Sequence, residues 1–179
     1  MPLPFKKYLP YRYGVDLPDR SWPSRRLEHA PIQSYEQITS LLRDGRKHKG
    51  VDFKAAVGTP VLAPFDGRIQ KMNWAFRFNG NSLSLIESKT GREAILLHLS
   101  SIESGLRPGS SVRTGQAIAR SGNTGRSTAP HLHYQLQAGK RTLDPFNIHH
   151  TYRVKLPDPE VAKVQTALEL YAKLRRAHS

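Results

Sequence analysis

From Thr59 to about Pro145 the apolar residues fall in short runs separated by turn formers. Runs of this length, rich in Val, Ile and Leu and bounded by Gly, Pro, Asn and Asp, predict β-strands. The expected strands are Thr59–Ala63, Gly67–Trp74, Ser82–Ser88, Glu93–Leu99, Val112–Arg120, His131–Gln137 and Arg141–Leu143. Phe65-Asp66-Gly67, Asn79-Gly80-Asn81 and Thr90-Gly91-Arg92 carry the turn chemistry between them. Many short strands at this spacing predict a mainly β domain, an antiparallel sandwich or barrel.

Helical patterning appears only at the margins. Ser34-Tyr35-Glu36-Gln37 has the form of a capping box, and Ile38, Leu41 and Leu42 follow at helical spacing. A short helix is therefore expected from Tyr35 to about Arg43, leading to an Asp44-Gly45 turn and then to His48. Near the other end, Asp158 can cap a helix with Pro159 at its first position. Val161, Val164, Leu168 and Tyr171 recur at three- and four-residue steps, and the basic run from Lys173 to Arg176 suits a helix C-terminus. Residues 1–33, rich in Pro, Arg and aromatics, read as an extended arm packed over a domain. The expected organisation is an arm over 1–33, a β domain over 34–150 and a terminal helix within 151–179.

Composition narrows the chemistry. The 179 residues contain no cysteine, so disulfides and thiolate metal sites are excluded. Formal charge is +14, from 28 basic and 14 acidic side chains spread along the chain. Such a surface favours polyanions such as wall polymers or anionic lipid. No nucleic-acid motif accompanies it, so no specific nucleic-acid partner is expected. No stretch is apolar and long enough to span a bilayer, and the first residues lack the apolar core of a signal peptide.

The chemistry concentrates in two motifs. His131 and His133 flank Leu132, and residues i and i+2 of a strand face the same way. Upstream, His48 and Asp52 stand four apart. Catalytic zinc usually takes three His or carboxylate ligands and keeps a position open for water. His48, Asp52 and His133 supply two imidazoles and a carboxylate, a complete set. The remaining histidines, His29, His149, His150 and His178, have no partner at ligand spacing and read as surface or packing residues.

His48-x-x-x-Asp52, Gly58-Thr59-Pro60-Val61, His98-Leu99-Ser100, Ser121-Gly122-Asn123-Thr124-Gly125 and His131-x-His133 follow one another between about Gly45 and Phe146. In that order they resemble the lysostaphin/LytM-type zinc endopeptidases, which cut peptide cross-links in bacterial peptidoglycan. The resemblance implies the duplicated hybrid motif, a compact antiparallel two-sheet fold. It implies one zinc per chain on His48, Asp52 and His133, with His98 and His131 in proton transfer and transition-state stabilisation. It also implies a peptidoglycan substrate and a place in the cell envelope; a monomer is expected. The chain departs from the family pattern at Leu96, Ala129 and Gln135, where tyrosine, glycine and glutamate are common.

Two other readings compete. A non-catalytic relative that binds wall or regulates an amidase would typically have lost ligands, whereas all five positions are present. A phosphocarrier or biotinyl-type domain would explain Val61-Leu62-Ala63-Pro64-Phe65-Asp66-Gly67 but leave Asp52 and the HxH pair without a purpose, and no Met-Lys-Met stands at the hairpin.

Overall fold

A computed structural model describes residues 23–44, 48–149, 151–155 and Thr166. The chain divides into two compact units, Leu27–His150 and the two terminal segments. In the terminal unit, β1 (Pro23–Leu27) pairs with β13 (Thr151–Lys155) as a two-stranded sheet.

The larger unit is built on two antiparallel sheets, as the strand pattern predicts. The main sheet runs β2 (Gln37–Ser40), β3 (Val51–Lys54), β11 (His131–Ala138), β7 (Glu93–Leu99), β6 (Asn81–Glu87), β5 (Gly67–Met72) and β9 (Ser111–Val112). A further strand, β12 (Arg141–Leu143), pairs with the far end of β11. The smaller sheet is β4 (Pro60–Leu62), β10 (Ala117–Arg120) and β8 (Ser101–Ile102). Two single-turn helices, α1 (Phe76–Asn79) and α2 (Pro145–Ile148), interrupt the strands. Among the described residues no helix is long and apolar enough to cross a membrane.

Strand register decides which residues become core. Leu83 pairs with Leu96, Leu96 with Tyr134 and Tyr134 with Val51, so one face of the main sheet carries an apolar row across four strands. Leu85, Ala94 and Leu136 form the next row, and Phe53 faces Leu132. All are fully buried and share one cluster with Val61, Ile118 and Ala119 from the smaller sheet and with Ala63 just beyond β4. Fully burying a side chain of this size contributes roughly 1.5–3 kcal/mol. The period of two then sends every intervening residue to the opposite face. That face carries Asp52, His131, His133, Gln135, Ile95 and Leu97.

Several elements differ from expectation. Instead of a helix over Tyr35–Arg43, the chain forms β2 along the edge of β3, with Ile38 opposite Phe53. Tyr35 packs edge-on against Phe53 at 5.0 Å, and Glu36 pairs with Lys54. The helical spacing of Ile38 and Leu41 was real, but pairing with β3 satisfies the backbone and partly buries Ile38 against the core, and Leu41 is left exposed. Tertiary context outweighs so short a propensity signal. The expected terminal helix from Asp158 falls on residues 156–165 and 167–179, which lie outside the described residues, as do 1–22 of the expected arm; ahead of it residues 151–155 form β13. Ala30 and Ile32, at the end of the expected arm, are buried in the core, as packing of that stretch on the domain would have it. Val112–Arg120 is two strands, because Gly115 bends the chain with a positive φ of 79°.

Candidate metal centre and proton-transfer site

Three parts of the fold converge on one cluster. Antiparallel pairing sets His133 directly opposite Asp52, with both side chains on the non-core face. His48 enters from the segment just ahead of β3. His133 Nδ1 lies 2.8 Å from Asp52 Oδ1, His48 Nε2 lies 3.1 Å from the same oxygen, and the two ring nitrogens are 3.1 Å apart. Ligands about 2.0–2.1 Å from a tetrahedral ion stand roughly 3.3 Å apart, so this triangle has the size of a metal's coordination face.

The donor chemistry fits a cation as well. His48 Nδ1 lies 3.1 Å from the Leu41 carbonyl, which can only accept, so Nδ1 carries the hydrogen and Nε2 of the neutral ring presents a lone pair. Lone pairs from two rings and a carboxylate facing one another need a positive charge between them, a proton or a metal ion. Burial pushes the Asp52 carboxyl up, but hydrogen bonds from His133 and His48 outweigh it and hold it well below the ordinary carboxylate range. Burial pulls His48 down, yet the Asp52 hydrogen bond and charge, with the Leu41 carbonyl, leave it above its ordinary value. His48, Asp52 and His133 are thus the residues able to hold a metal.

Two more imidazoles flank this triangle. The His131 ring lies 4.8 Å from that of His98, and its Nε2 is 4.0 Å from Asp52 Oδ1. His98 is 6.3 Å, ring to ring, from His133. His98 should follow Ala94 and Leu96 onto the core face by strand alternation. Instead it adopts a left-handed backbone, with φ of 63°, and the β6–β7 register shifts between Asn81 and Leu83. The local irregularity re-aims its ring to the histidine side, as bulges near sites commonly do. Burial, then the nearby His131 and His133, lower the His98 pKa, against the raising effect of the Thr124 carbonyl.

Backbone carbonyls orient these rings, a feature the sequence reading missed. His98 Nδ1 donates to Thr124 O at 2.9 Å and His131 Nδ1 to Ala129 O at 2.8 Å, with Ser127 Oγ 3.1 Å from the latter nitrogen. Together with His48 on Leu41, three rings have Nδ1 committed and Nε2 left for chemistry. Carbonyl partners leave no trace in residue identity, so only the Ser121–Thr128 composition could have hinted at them. That loop holds His98 through the Thr124 carbonyl. Thr124 Oγ1 in turn donates to Leu99 O at 2.6 Å and accepts from Asn81 N at 2.9 Å.

Gly50 is a second determinant. A Cβ there would sit 2.5 Å from the Tyr134 carbonyl oxygen and 2.9 Å from Cε1 and Nε2 of His133. Backbone cannot yield to it cheaply, so Gly50→Ala is expected to cost about 1–3 kcal/mol of stability. The same variant should also bind metal more weakly because the His133 ring is displaced. Thermal melts with metal titration check both effects; unchanged affinity would mean that Gly50 does not position His133. Away from the centre, His149 is not a bare surface histidine: its Nε2 lies 2.7 Å from the hydroxyl of fully buried Tyr134, closing the far end of the core.

The sequence model of Peptidase family M23 matches residues 46–145, which include all five of these residues. A glycyl-glycine endopeptidase, ALE-1, of Staphylococcus capitis is 44% identical over 51% of this chain and 25% of its own. A DD-carboxypeptidase/endopeptidase, Mpg, of Neisseria gonorrhoeae is 35% identical over 71% of this chain and 27% of its own. A zinc-containing peptidase from Vibrio cholerae superposes with a TM-score of 0.58 at 29% identity, over 73% of this chain and 40% of that one. The chain spans about a quarter of the length of the curated relatives it matches.

Proposed function

The chain belongs to peptidase family M23, and from that premise we propose that it is a zinc-dependent endopeptidase hydrolysing peptide cross-links of bacterial peptidoglycan. The observation that carries the proposal is the triangle of His48 Nε2, Asp52 Oδ1 and His133 Nδ1 with two carbonyl-anchored imidazoles beside it. The relatives, a glycyl-glycine endopeptidase and a DD-carboxypeptidase/endopeptidase, support a peptide substrate of this kind. His48, Asp52 and His133 would hold the zinc. Zinc in such a site lowers the pKa of a bound water to about 7 and polarises a carbonyl oxygen.

The protein's own groups then divide the proton work. His98, its pKa lowered and its Nδ1–H committed to Thr124, presents Nε2 as a base for the attacking water. His131, fixed by Ala129, is placed beside the carboxylate; in its protonated form it can donate from Nε2 to the developing oxyanion or to the leaving amine. A C–O bond forms, the amide C–N bond breaks, and the proton taken from water ends on the amine. The presence of all five residues at one site favours hydrolysis over a non-catalytic wall-binding role. A peptidoglycan substrate places the protein in the cell envelope, where its +14 charge would favour anionic wall polymers or lipid surfaces.

Digestion of purified sacculi tests the proposal. The zinc-loaded protein is expected to convert cross-linked muropeptides to monomers by mass spectrometry, and His48→Ala to leave them intact. Parallel glycine-bridged and directly cross-linked sacculi would assign the bond. No release from either wall type by the metal-loaded protein would overturn the proposal.

A further inference from the structure

The connection between β5 and β6, Asn73–Gly80, combines features that the hydrolytic machinery does not use. Asn73 and Ala75 both take left-handed backbone, with φ of 52° and 49°. Asparagine tolerates this region, but alanine does not, and non-glycine residues held there cluster where surroundings enforce them for function. The segment then leaves Phe76 56% and Phe78 55% exposed, giving up the burial that two phenylalanines would otherwise contribute. A loop that is strained and displays two aromatic rings is poorly explained by folding alone.

Its position ties it to the site. Arg126 N donates to Phe78 O at 3.0 Å, and Asn81 N donates to Thr124 Oγ1. Gly80 and Gly125 pack backbone to backbone so closely that neither could carry a side chain. Thr124, between these contacts, is the residue whose carbonyl fixes His98. The aromatic loop and the loop holding His98 therefore form one wall. Two cations stand on it, Arg77 between the phenylalanines and Arg126 on the neighbouring segment. Both are exposed, and among the described residues neither forms an ion pair.

We propose that Phe76, Phe78, Arg77 and Arg126 form a specificity rim that takes a substrate segment carrying a free carboxylate beside its apolar backbone. The inference rests on the peptidase reading and adds to it the chemical class of what the His98 wall recognises. Charge decides the occupant: two exposed guanidiniums, with no ion pair among the described residues, on the same wall as two exposed aromatic rings suit an acidic peptide, since guanidinium grips carboxylate through paired N–H donors. The rings supply contact area at little cost in conformational freedom. These four residues are neither metal-ligand candidates nor proton-transfer groups, so they govern capture of the substrate, not the proton steps.

The test uses the full chain and one cross-linked peptide dimer in two forms, with free carboxylates and with every carboxylate converted to carboxamide. Binding is read by fluorescence anisotropy of the labelled dimer and hydrolysis by steady-state kinetics. The zinc-loaded protein is expected to bind the free acid about tenfold more tightly than the amide, with a steep loss of that preference in high salt. Arg77→Gln with Arg126→Gln should erase the preference by raising KM for the acid form, with kcat and zinc content unchanged. Phe76→Ala with Phe78→Ala should weaken both forms alike. Equal binding of acid and amide by the unaltered protein, or a preference that survives loss of both arginines, would overturn the proposal. If neither form is cut, the peptidase reading fails on its own, and the anisotropy comparison still decides the rim.

Discussion

Alanine at position 133 is expected to strip the protein of its metal. Purified zinc-loaded protein should carry about one equivalent by mass spectrometric metal analysis, and His133→Ala close to none. His133 Nδ1 closes the triangle with Asp52 and His48, and strand pairing leaves no neighbouring imidazole able to take its place. His131, the nearest, has Nδ1 tied to Ala129 and its Nε2 4.0 Å from the carboxylate. Loss of a direct ligand should exceed the roughly 10–100-fold drop in affinity that follows loss of an outer partner. Full occupancy in His133→Ala would remove the assignment. The same site predicts a pH dependence. In the metal-free protein the His48 pKa lies above its ordinary value, so protonation of His48 stabilises the apo fold fully below about 6.5. That contribution is lost as pH rises through the raised value, leaving three acceptors facing one another. Zinc substitutes for the missing proton, so the rise in Tm on adding zinc should grow from pH 6 to 8, since binding displaces ligand protons. Asp52, held far below the ordinary range, stays anionic throughout and does not shape this window.

The order of motifs made the candidate site legible because metal-ligand chemistry resides in few residue types. Two histidines one residue apart must share a strand face, and the pairing of β11 with β3 brings Asp52 to that face, as strand periodicity allows. Glu93–Leu99 and Arg141–Leu143 matched as strands to the residue because turn formers bound them on both sides. The edge strand β2 was not legible: four residues carry too little periodicity to distinguish a strand from a helical turn, and their partner β3 was itself too short to stand out. The carbonyl anchors of His48, His98 and His131 were invisible for a different reason, since any residue offers a carbonyl and only the folded path aims it. The approach of Gly80 to Gly125 shares that origin: the glycines could be counted, but not which pair would meet.

His98 is expected to separate catalysis from metal binding. His98→Ala and His98→Asn should both retain about one zinc per chain and lose hydrolysis by roughly 10²–10⁴-fold, the usual contribution of a positioned proton-transfer group. The asparagine variant makes the test decisive. His98 sits at φ of 63° at the end of β7, where asparagine is among the few residues tolerated, so the backbone that aims the site is preserved. Any fall in rate then reports the missing imidazole and not a rearranged strand. Its melting temperature should stay within a few degrees of the parent, because the lost ring contributes one hydrogen bond, to Thr124, and is only partly compensated by the shorter side chain. A folded, metal-free His98→Asn would show that His98 is a ligand. A folded, zinc-loaded variant with parental turnover would show that the proton passes elsewhere, with His131 as the remaining candidate. Full retention of zinc with loss of turnover is the expected outcome, because the His98 ring stands 6.3 Å from that of His133 and outside the triangle of His48, Asp52 and His133.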